Sequence, residues 1–128
     1  MRDKHFLLLE WNDPFTRAPM EGYMPLPIVI GRGRGASLRI NDEAISREHI
    51  MIALTDSGLV LRDLSSTNGT LLNGRVVDFG HLSAGDCIAV GQVTFRVSRI
   101  GQESILKTGV IMYRKFMEDR TTALVRHH

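Results

Sequence analysis

The chain has 128 residues, 43% of them hydrophobic and 23% charged, with a formal net charge of +2. That length allows one domain with or without a tail, and that composition suits a packed soluble core. Residues 1–100 balance 11 Lys and Arg against 11 Asp and Glu, and residues 101–128 carry 5 against 3, too weak a basic field for a general nucleic-acid binder.

His5 to Trp11 reads as a first strand, rich in leucine and closed by Asn12-Asp13-Pro14. Its apolar run, Phe6 to Leu9, stops at Glu10, which is too short for a signal-peptide core. No apolar stretch approaches the roughly 20 residues that span a bilayer. The segment from Asp13 to Pro27 holds all four prolines and has no clear period, so a long surface loop or an irregular edge segment is expected.

Pro27 to Ile30 is a short buried strand running into Gly31-Arg32-Gly33-Arg34-Gly35-Ala36. The G-x-G-x-x-A spacing resembles a dinucleotide-binding turn, which requires a helix directly after the glycines. Ser37-Leu-Arg-Ile-Asn-Asp42 follows instead, a β-type run closed by a turn. The acidic ribose partner expected about 20 residues on would fall near Met51, inside an apolar strand. The dinucleotide reading fails.

From Ile50 the pattern is short strands. Ile50, Ile52 and Leu54 alternate, Asp56-Ser57-Gly58 turns the chain, and Leu59 to Leu61 returns it. Leu71 to Val77 has a central Asn73-Gly74, the strongest short hairpin signal. Ser83 to Asp86 is a further turn, and Cys87–Val90 with Val93–Val97 makes a last hairpin across Gly91-Gln92. Strands this short and frequent, punctuated by glycine, indicate an all-β sandwich. Cys87 is the single cysteine; it reads as a strand core position, excludes an internal disulfide and suits a cytoplasmic, reducing compartment. Residues 101–128 change character and form an extension. Met112, Tyr113, Phe116, Met117 and Leu124 fall near one helical face, which predicts a helix from about 108 to 125.

Taken in order, Gly31-Arg32, Ser46-Arg47-Glu48-His49, Asp63-Leu-Ser-Ser-Thr-Asn-Gly-Thr70 and Asn73-Gly74 make a pattern that resembles the forkhead-associated (FHA) domain. The resemblance covers roughly residues 5–100 and implies an FHA-type sandwich of two twisted, mostly antiparallel sheets. It also implies a phosphothreonine-peptide binding module that recruits phosphorylated partners, a Ser/Thr kinase or its substrate, with preference for phosphothreonine over phosphoserine. In the family a residue after the phosphate, typically the third, sets specificity.

The chemistry of the residues agrees. Phosphothreonine carries about −1.5 to −2 charge and three strong acceptor oxygens. Its site needs a guanidinium fork, short hydroxyl donors and loop amides. Arg32 supplies the fork from the mouth of a strand, Ser46 a hydroxyl, and Thr67 a second hydroxyl or its amide. Asn68 has both donor and acceptor with which to clasp the peptide backbone. These match the positions the family uses, as does Arg47 after the serine. Gly31 and Gly69 are expected to supply backbone freedom at tight turns. His49 is expected to brace the binding loops, and Asn73 to open the hairpin turn and hold the neighbouring loop. Arg34 and Arg39 either read acidic residues beside the phosphothreonine or form a solvated face.

Nothing in the sequence points to an enzyme, a metal or a cofactor. His5, His49 and His81 are isolated, without the paired spacings that zinc prefers, and Ser65-Ser66 lacks the glycines of a nucleophile elbow. Two other functions fit the same residues. In one, the domain is a switch that binds its own tail once Thr121 or Thr122, or Thr16, is phosphorylated. In the other, it is a phosphate-independent scaffold acting through the sandwich face or the C-terminal helix.

Overall fold

The computed structural model describes residues 3–104 and 124–127. It is an all-β sandwich of two sheets, as expected. The strands in chain order are β1 (Asp3–Asn12), β2 (Pro19–Pro25), β3 (Ile28–Gly31), β4 (Leu38–Arg39), β5 (Ile50–Thr55), β6 (Gly58–Asp63), β7 (Thr70–Leu72), β8 (Arg75–Val76), β9 (Phe79–His81), β10 (Cys87–Val90), β11 (Val93–Ser104) and β12 (Leu124–His127). Seven form one sheet in the order β12-β2-β1-β11-β10-β7-β8, and five form the other in the order β4-β3-β5-β6-β9. All described pairings are antiparallel except β3 with β4.

The core follows from the two-residue period of strands. Leu7, Leu9 and Trp11 of β1 face inward, as do Ile28 and Ile30 of β3, Ile50 and Ile52 of β5, and Val93, Phe95 and Val97 of β11. Trp11 packs against Phe95 at 5.2 Å between ring centroids. Each such side chain contributes about 1.5–3 kcal/mol on burial, so the scaffold beneath the loops is firmly specified.

The proline-rich segment is more regular than its composition suggests. Pro19 to Pro25 is a strand that pairs with β1 along its whole length, from Phe6↔Pro25 to Asn12↔Pro19. The reason is the placement of the prolines. Pro19 and Pro25 occupy the strand's two ends, Pro14 lies in the loop before it, and Pro27 follows a cis bond after it. None interrupts the ladder.

The helix expected from about 108 to 125 lies, but for its last two residues, outside the described residues. Those two, Leu124 and Val125, open β12, which pairs antiparallel with β2. The strand satisfies backbone groups that the edge of β2 would otherwise leave open, a tertiary gain that periodicity within the tail does not register. β11 likewise runs past residue 100, pairing Ser104 with Asp3.

Asn73-Gly74 makes the tight β7–β8 turn, with positive φ of 52° and 85°, the signature of a type I′ hairpin. The end of β3, the first residue of β5 and the last of β6 come together at one end of the sandwich through Ile30↔Ile50 and Ile50↔Asp63. The β10–β11 turn joins them there, since the Gln92 amide donates to Asp42 Oδ2 at 3.0 Å.

Candidate functional site

Three loops meet at that end. The first follows β3 and is fastened to the segment before β5: the amides of Arg32 and Gly33 donate to the carbonyls of Ser46 and Arg47, both at 2.9 Å. Gly31 permits this. A Cβ there would run into the Arg47 carbonyl, and Gly31 is not among the residues of positive φ. Close approach, not the conformational freedom expected at a tight turn, is what this position demands. Gly69, in the third loop, has a φ of +84° with open space where a side chain would stand, so there the backbone conformation favours glycine.

His49 ties the second loop to the third. It is fully buried. The Ser46 amide donates to its Nδ1 at 3.0 Å, and its Nε2 lies 2.8 Å from the Gly69 carbonyl. An Nδ1 that accepts leaves the proton on Nε2, which therefore donates to Gly69. The third loop is shaped by Asp63. Its carboxylate accepts from the Ser66 amide at 3.0 Å and from the hydroxyls of Ser66 and Thr70, both at 2.6 Å. Burial pushes the Asp63 carboxyl up, but the Ser66 and Thr70 hydroxyls, the Ser66 amide and nearby His49 outweigh it and hold it below its ordinary value. The sequence places Asp63, Ser66 and Thr70 in one signature block but gives them no role of their own. The local signal was Asp63 three residues before Ser66, a spacing at which a carboxylate caps a turn.

The side chains expected to bind are positioned by the same network. Arg32 donates from Nε to the Ile45 carbonyl at 3.0 Å, and no described residue takes its Nη groups. Ser46 Oγ accepts the Thr67 amide at 3.0 Å, leaving its own proton to donate. Asn68 donates from Nδ2 to the Ala44 carbonyl at 2.9 Å, leaving its Oδ1 to accept. Arg32, Arg34, Ser46, Arg47 and Thr67 all line one open cleft of about 600 Å³, with Glu48 its one carboxylate. Three guanidinium groups against one carboxylate give the cleft a positive field.

Other expected residues lie outside it. Asn68 stands beside the cleft rather than in its wall. Arg39 donates from Nε to the Arg32 carbonyl at 2.9 Å and so holds the first loop. Asn73 grips the 85–87 turn, donating to Asp86 Oδ1 at 3.1 Å and accepting the Cys87 amide at 2.9 Å. A larger hollow of about 720 Å³ lies at the opposite end among Pro25, Leu26, Pro27 and Leu54. It is mostly apolar and brings no guanidinium groups together. Among the described residues no cluster of three or more His, Cys, Asp or Glu could hold a metal ion, and no helix is long and apolar enough to cross a membrane.

The model of the FHA domain family matches residues 28–91, which contain every block of the cleft. Over 63 residues, 49% of this chain, the sequence is 41% identical to the FHA domain-containing protein FhaA of Mycobacterium tuberculosis, and spans 12% of that protein. Among solved structures, the fold is similar to one from a structural and functional analysis of phosphothreonine-dependent FHA domain interactions. The TM-score is 0.59 at 30% identity, covering 72% of this chain and 96% of that one. It is similar also to the FhaA FHA domain complexed with the intracellular domain of Rv3910, with a TM-score of 0.57 at 31% identity, covering 75% and 99% of the two chains.

Proposed function

The chain belongs to the FHA domain family, and from that premise we propose that it binds phosphothreonine-containing peptides and so recruits phosphorylated partners in Ser/Thr kinase signalling. The observation that carries the reading is the convergence of Arg32, Ser46 and Thr67 on one positive cleft. The unused Nη groups of Arg32 supply a fork for two phosphate oxygens. The Ser46 hydroxyl and the Thr67 side chain supply short donors to the third. Asn68 then clasps the peptide backbone with its Oδ1 as the chain leaves the cleft. Arg47 and Arg34 flank the phosphate with further charge. It is a binding module rather than a catalyst, and a cytoplasmic setting is part of the proposal.

Two or three charge-assisted hydrogen bonds at about 1.5–3 kcal/mol each must offset the ordering of a flexible peptide. Micromolar affinity, about −8 kcal/mol, is the expected order. The test is binding of a degenerate phosphothreonine library against matched phosphoserine and unphosphorylated pools, with wild type and Arg32→Ala. Phosphothreonine-selective binding that Arg32→Ala abolishes is expected. Equal binding of the unphosphorylated pool would sink the reading.

Strand β12 bears on the switch reading. Leu124 pairs with Tyr23, Tyr23 with Leu8, and Leu8 with Arg99. Arg99 is six residues along β11 from Val93 at the cleft end, about 20 Å at 3.3 Å per residue. Thr122 is two residues from Leu124 and reaches only about 7 Å from it. With β12 paired, a phosphorylated Thr121 or Thr122 therefore enters the cleft of a second copy and not its own. Concentration-dependent association of the tail-phosphorylated chain in light scattering would support this form of the switch, and a strictly monomeric phosphorylated chain would end it.

A further inference from the structure

The loop joining β1 to β2 is at the same end of the sandwich as the phosphate cleft, and its own hydrogen bonds close it. The Asp13 amide donates to the Ala18 carbonyl at 2.8 Å, and the Arg17 amide to the Asp13 carbonyl at 2.9 Å. The Asp13 carboxylate accepts the amides of Phe15 and Thr16 and the Thr16 hydroxyl, all on Oδ2. Arg17 is thereby fixed at a φ of 66°, which a non-glycine residue adopts at a cost. Asp13 is occupied within its own loop, whereas no described carboxylate forms an ion pair with the exposed Arg17 guanidinium.

Beside Arg17 is a hollow of about 270 Å³, whose walls include Asn12, Asp13, Gln92 and Thr94. The walls hold one cation, Arg17, and one carboxylate, Asp13, whose Oδ2 takes three hydrogen bonds from its own loop; Asn12, Gln92 and Thr94 supply neutral polar groups. The hollow is joined to the phosphate cleft by a continuous rim. The Gln92 amide donates to Asp42 Oδ2, and Asp42 Oδ1 accepts the Ala44 amide at 2.9 Å. The Ala44 carbonyl holds Asn68, beside the cleft. Gly91 packs so closely on this loop that a Cβ there would stand 2.6 Å from Ile45 Cγ1 and 3.0 Å from Asp42 Oδ2. The hollow and the cleft are thus parts of one stiff surface.

We propose that Arg17 and its hollow form a second anion-binding position, which takes an acidic side chain further along the same bound phosphopeptide. The proposal rests on the phosphopeptide reading above. The cleft belongs to loops of the five-stranded sheet and Arg17 to a loop of the seven-stranded one. Packed sheets lie about 10 Å apart and an extended chain covers about 3.3 Å per residue, so a peptide meets Arg17 about three residues beyond the point held by Asn68; with Asn68 holding the backbone about one to three residues from the phosphothreonine, that is about four to six residues from it. Glu43, exposed on the rim between them, makes the intervening positions poor places for an acid. The favoured acid is therefore confined to the distal position.

The experiment is a scan in which one glutamate replaces alanine at each position from six before to six after the phosphothreonine, in an otherwise alanine-rich peptide. Wild type and Arg17→Asn are titrated with each peptide at low and high salt. Asparagine tolerates the positive φ, so the loop is kept and the charge removed. Glutamate at one distal position should tighten wild-type binding by roughly 3- to 5-fold at low salt, the size of an exposed ion pair, and less at high salt. Arg17→Asn should erase that gain and bind the all-alanine phosphopeptide as wild type does. A flat scan, or a distal preference that survives Arg17→Asn, would overturn this inference alone. If the all-alanine phosphopeptide and every glutamate peptide fail to bind wild type, the parent reading falls and this one with it.

Discussion

Replacing His49 by alanine tests the central structural claim, that one buried imidazole holds two binding loops together. The substitution strands two groups: the Ser46 amide loses Nδ1 and the Gly69 carbonyl loses Nε2. A buried polar group left without its partner costs about 1–3 kcal/mol, and water entering the vacated space recovers part of that. A loss of about 3 kcal/mol is expected, a large share of the roughly 5–15 kcal/mol typical of a domain. With a urea m-value of about 1–3 kcal/mol/M, the unfolding midpoint should fall by on the order of 1–3 M. Function should suffer as well as folding. Ser46 and Thr67 are positioned through the same loops, so a phosphothreonine peptide should bind about tenfold more weakly, about 1.4 kcal/mol, under conditions where the variant is still folded. Both quantities are read from one protein preparation by urea titration and by calorimetry in buffer. A midpoint within about 0.3 M of wild type, together with unchanged affinity, would refute the reasoning.

Arg32→Lys keeps the charge but loses the fork and the Nε bond to Ile45; calorimetry should show binding at least about tenfold weaker, because a lysine cannot engage two oxygens in one plane. Asn73→Ala should lower stability by about 1–2 kcal/mol through its bonds to Asp86 and Cys87, while phosphopeptide affinity stays at the wild-type value, since that residue lies away from the cleft. Gly31→Ala should melt at a clearly lower temperature than wild type, because its Cβ meets the Arg47 backbone and only movement of the first binding loop relieves the clash. Asp63 predicts a pH dependence. Its folded pKa is held below the ordinary 3.8, so its stabilisation is complete above that value and lost as pH falls through the folded pKa. Asp63→Asn should therefore be less stable than wild type at pH 7, with the gap narrowing in urea titrations taken below about pH 4.

The sequence carried the residues of the cleft much better than it carried their tethers. Arg32, Ser46 and Thr67 sit in short ordered blocks, and side chains of those types at a strand mouth already imply a phosphate. The strands beneath them alternate clearly, as Ile50-Met51-Ile52 and Val93 to Val97 do, because one face of each is buried. β2 was obscured because prolines at both strand ends look, in composition, like prolines throughout. β12 was obscured because its pairing partner, Tyr23 to Met20, is about a hundred residues earlier. The same is true of Asp42, whose carboxylate joins Ala44 to Gln92, 50 residues on. Such a tether has no local period or motif. It exists only once both sheets have closed.

The cleft residues share a division of labour that explains why these residue types are needed. Each spends one polar atom on the scaffold and presents another outward. Arg32 spends Nε on Ile45 and presents Nη; Ser46 accepts the Thr67 amide and presents its proton; Asn68 donates to Ala44 and presents Oδ1. A side chain with a single polar function could be positioned or could bind, but not both. Prior positioning matters because ordering a long side chain at the moment of binding costs about 0.5–1.5 kcal/mol, comparable to a net hydrogen bond. In the proposed binding mode the tethers therefore contribute to affinity without touching the ligand. Arg39 extends the pattern by one step: it spends its Nε on the Arg32 carbonyl, fixing the backbone from which the Arg32 side chain projects.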